Sequence, residues 1–268
     1  MNADYSLSLA ALAALVPVGV LVMKRQGKGA PDGLYWTLLC VAVAGPAAWA
    51  MVLSSGAWQT GFSGALWVTV AASMALFLGL AILLPEAWRL TPLVSGYLFA
   101  LGLIALIWQQ VPATPHTEAA PAGWIEIHIV VSVLTYAFAT LAALAALAAV
   151  LQERALKAKR PTKLTHTLPS VTDCDRLLVR LLLLGEVVLG FGLLTGVATQ
   201  YMETGRLLAF DHKIILSIAT FIVIAALLYA HHRTGMRGRK AARVVLTAYL
   251  LLTLGYPGVK FVTDVVLG

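Results

Sequence analysis

Long apolar runs separated by short polar stretches dominate the chain. Eight runs approach the roughly 20 residues needed to cross a hydrocarbon core of about 30 Å. They span approximately residues 5–24, 34–54, 63–84, 91–109, 125–151, 177–199, 212–232 and 244–266. None alternates apolar and polar positions with the period of two that a membrane β-barrel strand requires. Lipid offers no partners to unpaired backbone groups, so each run predicts a helix. The expected fold is all-α: a polytopic membrane protein, a bundle of eight transmembrane helices forming a single transmembrane domain over residues 1–268.

Composition narrows the class further. Hydrophobic residues make up 60% of the chain, charged residues only 12%, and the mean hydropathy is +0.87. A soluble domain of this length carries about twice that charged fraction. The net charge of +7 does not point to nucleic acid, because the basic residues fall between apolar runs. Four loops ("KRQGKGAPDG", the turn at Arg89, residues 152–176 and "RTGMRGRKAAR") hold 15 of the 19 Lys and Arg residues. By the positive-inside rule these loops are cytoplasmic, which places both termini outside. The first run lacks a basic leader and a small-residue cleavage site, so it reads as a retained helix. Cys40 and Cys174 lie far apart and form no CxxC pair. The longest loop, 152–176, ends in "LPSVTDCDRLLVRL" and reads either as an interfacial amphipathic segment or as the charged flank of the sixth helix.

With that orientation the six histidines separate. His116 and His166 sit in polar loops, and His231 and His232 complement the negative end of the seventh helix. His128 and His212 differ: both fall near the outer ends of apolar helices. Trp124, His128, Ser132 and Tyr136, spaced four apart, draw a slowly drifting polar-aromatic stripe on the fifth helix. Neutral imidazole is a good iron ligand and costs less near lipid than a permanent charge. Two such rings from neighbouring helices are suited to a haem iron, with the external cations Arg206, Lys213 and Lys260 available to its propionates. Interfacial anchoring of helices by His and Trp is the alternative use of the same residues.

Glu186 interrupts the sixth helix. A carboxylate there should face the bundle interior, protonated or bonded to a neighbouring helix; one isolated acid makes a poor proton relay, so structural glue is the favoured reading, with the Gly192/Gly196 pair permitting close packing. Zinc is not indicated, since no external cluster offers three ligands at usable spacing. No GxSxG, P-loop, HExxH or glycine-rich dinucleotide turn occurs.

The stretches "IEIHIVVSVLTYAFATLAALAALAAVLQER", "LPSVTDCDRLLVRLLLLGEVVLGFGLLTGV" and "FDHKIILSIATFIVIAALLYAHHRTGMRGRKAARVVLTAYLLLTLGYPGVKFVTDVVL" form an ordered set. Together they resemble the membrane haem-handling superfamily of cytochrome c assembly (CcsA, CcmC, CcmF), nearest its eight-helix YpjD/HemX-like branch. The resemblance covers residues 124–266, while residues 1–110, four divergent N-terminal helices, match only in hydropathy. It implies that His128 stands where the family has its first external haem-ligand histidine. One of His231 and His232 stands where CcsA has a histidine before Thr-Arg. Asp211 and Lys213 stand at the end of the tryptophan-rich external signature. The signature's tryptophans are absent from "TQYMETGRLLAFDHK", His212 replaces its proline, and no histidine follows the eighth helix. On this reading His212 substitutes for the missing second ligand.

The expectation is a bacterial inner-membrane (cytoplasmic-membrane) protein that holds haem b at the external face. His128 and His212 serve as iron ligands, and Trp124, Arg206, Lys213 and Lys260 as cofactor contacts. It is not expected to be an enzyme; at most it presents haem to a partner in cytochrome c maturation. Its partners would be the lipid bilayer and other membrane proteins of cytochrome c assembly, with no nucleic acid. The rival expectation is a non-haem accessory or transport subunit serving an ion or metal transporter.

Overall fold

The computed structural model describes residues 3–26, 29–54, 61–110, 122–205, 212–236, 238–258 and 261–262. Among these residues the fold is all-helical. The helices are α1 (Ala3–Ala14), α2 (Val16–Arg25), α3 (Gly33–Ser54), α4 (Phe62–Leu83) and α5 (Thr91–Ile107), followed by α6 (Ala122–Ala158), α7 (Lys163–Thr167), α8 (Val171–Thr204), α9 (His212–Thr234) and α10 (Gly238–Thr253). Seven stretches are long and apolar enough to cross a membrane: Asp4–Arg25, Gly33–Ser54, Phe62–Leu83, Ala87–Ile107, Gly123–Ala158, Val171–Met202 and Ile214–Thr234. They coincide with the first seven expected runs. The expected eighth, 244–266, falls on α10 and a π-helical turn at Leu254–Gly258, and runs on past the described residues. With 16 residues, α10 is short of a full span by itself.

The first run is a bent helix. Leu15 closes a tight turn by donating its N–H to Leu12 O, and Pro17, which has no N–H to donate, opens α2. The first five helices pack around Tyr35, Trp67, Met74 and Phe77, all fully buried. Gly19 lets α2 close on α5: a Cβ there would lie only 2.2 Å from Ser95 Oγ. At the α2–α3 turn Arg25 makes two hydrogen bonds to Asp32, at 2.8 and 2.9 Å, and Asp32 also accepts from the Tyr35 N–H. Those bonds, Arg25 first, hold the Asp32 carboxyl down at about 2.

The later helices form around α6 and α8, the most extensively packed pair, with α10 against α6 and α9 bridging α8 and α10. The first five helices meet this group where α4 and α5 touch α6. A hydroxyl network crosses that junction. Tyr97 on α5 bonds to Tyr249 on α10, and Tyr249 lies 3.3 Å from both Tyr136 and Thr140 on α6. Tyr136 in turn pairs with Thr253 at 3.0 Å. Such networks satisfy polar groups that lipid cannot.

The expected 152–176 loop is largely helix. α6 continues to Ala158, α8 begins at Val171, and only the short α7 lies between. Asp173, Asp175 and Arg176 are therefore the charged flank of the sixth spanning helix, and no separate amphipathic segment exists there. Local caps explain the economy: Ser170 accepts from the Asp173 N–H, and Thr162 and Thr165 form a reciprocal capping box around α7. The Gln152 amide donates to the carbonyls of Thr165, Leu168 and Pro169 at 2.9, 3.1 and 2.9 Å.

Candidate functional site

α6 and α8 run antiparallel, and glycines set their separation. A Cβ on Gly185 would sit 3.1 Å from Phe138 Cβ, and one on Gly192 would sit 3.5 Å from Val131. A Cβ on Gly196 would sit 3.1 Å from Cε1 of His128. The residues of α6 that face α8 are thus 128, 131, 135 and 138, the 3-4 spacing of a straight seam. The four-spaced stripe does not stay on this seam. At 3.6 residues per turn each step of four drifts by about 40°. Ser132 has accordingly turned to the exposed surface, while Tyr136 has come round to α10. His128 meets α8 at Gly196 and Thr195.

The imidazole of His128 lies over Gly196 by its Cε1 corner, with Nδ1 and Nε2 each 3.8 Å from where a Cβ would be. Its Nδ1 is 2.9 Å from Thr195 Oγ1. One helical turn toward the start of α6, Trp124 buries its indole N–H, which has no hydrogen-bond partner among the described residues. Trp49 and Trp67 in the first half do the same. Burial of an indole N–H is therefore no mark of a site; what distinguishes Trp124 is its place beside His128.

The other expected cofactor contacts are not brought into view. His212 and Lys213 begin α9, but their side chains lie outside the described residues. Arg206, Asp211, Lys260 and His116 lie outside them altogether. Among the described residues, no group of three or more His, Cys, Asp or Glu side chains forms a metal cluster.

The histidines of α7 and of the C-terminal end of α9 lie away from His128. His231 donates from Nδ1 to Met236 O at 3.0 Å, closing the turn after α9, while His166 and His232 are exposed. Glu186 departs from expectation. Both its carboxylate oxygens are enclosed, and neither has a hydrogen-bond partner among the described residues. Among the described residues it does not act as hydrogen-bonded glue. The residue one turn on, Gly190, packs on Phe221 of α9, so that side of α8 meets an apolar neighbour. The Gly192/Gly196 pair does allow close packing, but against α6.

Thr195 and Gly196 are the site residues that residue types alone did not mark. Gly196 was legible as half of a small-xxx-small pair, though not as the partner of His128. A threonine in an apolar helix carries no sequence signal, because Thr also bonds to its own helix, as Thr69, Thr140 and Thr220 do here.

Comparison with known proteins places the chain in a family. The profile described as "Cytochrome C assembly protein" matches residues 36–267, a region that reaches well beyond 124–266 into the first half. A 28.8 kDa protein in the "nifR3-like 5'region" of Azospirillum brasilense is 54% identical over 271 residues, covering all of both chains. The inner membrane protein YpjD of Escherichia coli is 31% identical over 182 residues, covering 68% of this chain and 66% of YpjD. The cytochrome c biogenesis protein CcsA of Chlamydomonas reinhardtii is 23% identical over 165 residues, covering 62% of this chain and 46% of CcsA. A membrane-spanning helical bundle matched along most of its length by that profile belongs to the cytochrome c assembly protein family.

Proposed function

We propose that this protein handles haem at the outer face of the bacterial inner membrane, as an assembly factor that holds the cofactor and not as an enzyme. It would present haem b while a partner makes the thioether bond. His128 is one iron ligand and His212 the other; Trp124, Arg206, Lys213 and Lys260 meet the propionates. The full topology in this reading is eight spans in one transmembrane domain, with α10 and the residues after it forming the eighth and both termini outside. The positive-inside asymmetry supports that orientation, and the inner-membrane placement of YpjD supports the compartment.

One observation carries the proposal: an imidazole in a spanning helix, seated on a glycine and tied through Nδ1 to a hydroxyl. Polar residues are rarely kept at such positions without a use, and metal-binding histidines are typically oriented by a bond from the other ring nitrogen. The donor set suits haem. Bound haem would supply an iron that takes imidazole and two carboxylates. His128 would hold the iron, and the Trp124 N–H, which has no acceptor among the described residues, could donate to a carboxylate.

Protein purified in detergent after expression with ample haem should show a Soret band with a low-spin, bis-imidazole spectrum. His128→Ala and His212→Ala should each convert it to a five-coordinate or water-ligated form, and the double variant should be colourless. His116→Ala is the control and should change nothing. Folded protein without Soret absorbance would overturn the proposal, leaving His128 an interfacial anchor in an accessory or transport subunit.

A further inference from the structure

One face of α8 changes chemistry part of the way along its length. Arg176, Arg180, Leu183, Val187, Phe191 and Leu194 are all exposed. Spaced by fours and threes, they form a single stripe down the helix. The stripe is cationic near the start of α8 and apolar from there on. Counted from Val171, Arg180 lies about 14 Å into the helix, and the apolar part begins three residues later. A cation at such a boundary does not sit in hydrocarbon; its flexible stem carries the charge back toward the headgroups. The described residues offer that charge no counter-ion. Asp173 lies 3.8 Å from Arg176, Asp175 faces a small cavity between α8 and α9, and neither forms an ion pair with Arg180.

The neighbouring helix brings a second cation to the same depth. α8 and α9 are antiparallel: Gly190 packs on Phe221, and the cavity sets Val179 and Leu182 against Leu228 and His231. Ten residues before Gly190 stands Arg180, and ten after Phe221 stands His231, so the two are level. His231 is turned inward, to the cavity and to Met236 O. On either side of it along α9, Tyr229 and Arg233 are exposed. Arg233 too makes no ion pair among the described residues. An exposed tyrosine on a spanning helix sits at headgroup level, which agrees with the boundary read from α8.

We propose that Arg180 and Arg233, with Tyr229 between them in depth, bind the phosphate of an anionic phospholipid in the leaflet at the α7 end. The acyl chains of that lipid lie along the apolar stripe of α8. Each guanidinium offers paired N–H donors in one plane, the geometry that fits phosphate oxygens. A zwitterionic headgroup carries its own ammonium to neutralise the phosphate, so the two arginines favour an anionic one. Basic positions between spanning helices recurrently hold such headgroups. The proposal does not rest on the haem reading, since it involves neither His128 nor His212.

Native mass spectrometry of the full-length protein in detergent reads the site directly. Titrated with dioleoyl phosphatidylglycerol, wild type should retain one lipid more tightly than later ones. It should also hold that lipid more tightly than dioleoyl phosphatidylcholine, which has the same chains. Arg180→Gln should weaken this first step about 10-fold, the scale of one lost charged hydrogen bond. Arg233→Gln should weaken it as well, and Arg180→Lys, which keeps the charge but loses the paired donors, should fall between. Arg160→Gln removes the same charge from the exposed turn before α7 and should leave the step unchanged. Circular dichroism identifies the folded variants; should Arg180→Gln not fold, Arg180→Lys decides by the same criterion. Equal weakening by Arg160→Gln would overturn the site in favour of diffuse surface charge. Equal affinity for the two lipids, or no effect at Arg180, would overturn it outright. Inorganic phosphate at the lipid's concentration should not compete. Competition would make this a site for the free ion and overturn the role given to the apolar stripe.

Discussion

The two ends of the α6–α8 pair use polar side chains in opposite ways. At the α7 end, polar groups bond to backbone: Gln152 to three carbonyls, Thr162 and Ser170 to the first N–H groups of the helices they cap. Helix ends and tight turns leave such groups without intrahelical partners, and in a bundle with little water each must be matched. At the other end, His128 bonds to a side chain, rests on a glycine and stands one turn from an indole N–H with no partner among the described residues. Nothing in the backbone needs those groups. One end ties side chains to backbone and the other ties a ring to a side chain, so the two should respond separately to substitution.

Gln152→Glu should show the largest loss of stability. It turns an amide donor into a carboxyl group facing three carbonyl oxygens. The cost should be about 2–3 kcal/mol, from lost bonds and backbone acceptors left unmatched. A thermal unfolding scan in detergent should show a clear drop in Tm, while the Thr195–His128 bond in the folded protein stays as it is. A change in that bond would mean that the two ends are coupled.

Gly196→Leu attacks the presenting end. Even a Cβ would come within 3.1 Å of the His128 ring, so a branched side chain must displace it or part the helices. We expect about 1–2 kcal/mol of overpacking cost, smaller than for Gln152→Glu, together with loss of the Thr195–His128 bond by nitrogen NMR. Retention of that bond would place the ring elsewhere.

Glu186 lies between the two ends, about 14 Å along α8 from Thr195 at 1.5 Å per residue. With both oxygens enclosed and no partner among the described residues, Glu186→Leu should raise stability by about 1 kcal/mol, the order of cost of an unmatched buried polar group. Had the carboxyl been hydrogen-bonded glue, the same substitution would lower Tm. A fall in Tm would show that Glu186 has a partner within the bilayer.

The fold was legible because hydropathy and length leave a chain in lipid few choices. Seven apolar runs became seven spanning helices, and Pro17 marked the bend in the first. The 152–176 stretch was less legible: its charge read as a loop, yet Gln152 and the caps at Thr162 and Ser170 let both helices extend into it. The candidate site was half legible. His128 stands out as an imidazole in an apolar helix, and Gly196 as part of a small-residue pair.

What the sequence by itself determined is the class: an all-helical membrane chain whose basic residues gather in alternate loops. Periodicity also placed Trp124 and His128 one turn apart on a single helix. Only the tertiary structure decided that His128 meets Gly196 and Thr195, that Tyr136 leaves the same stripe to join α10, and that Glu186 finds no donor among the described residues. The physical reason is common to all three. Helical spacing determines which residues share a face, but the drift of that face and the register between antiparallel helices determine which atoms meet. A hydrogen bond formed over 2.9 Å is decided by those last few ångströms.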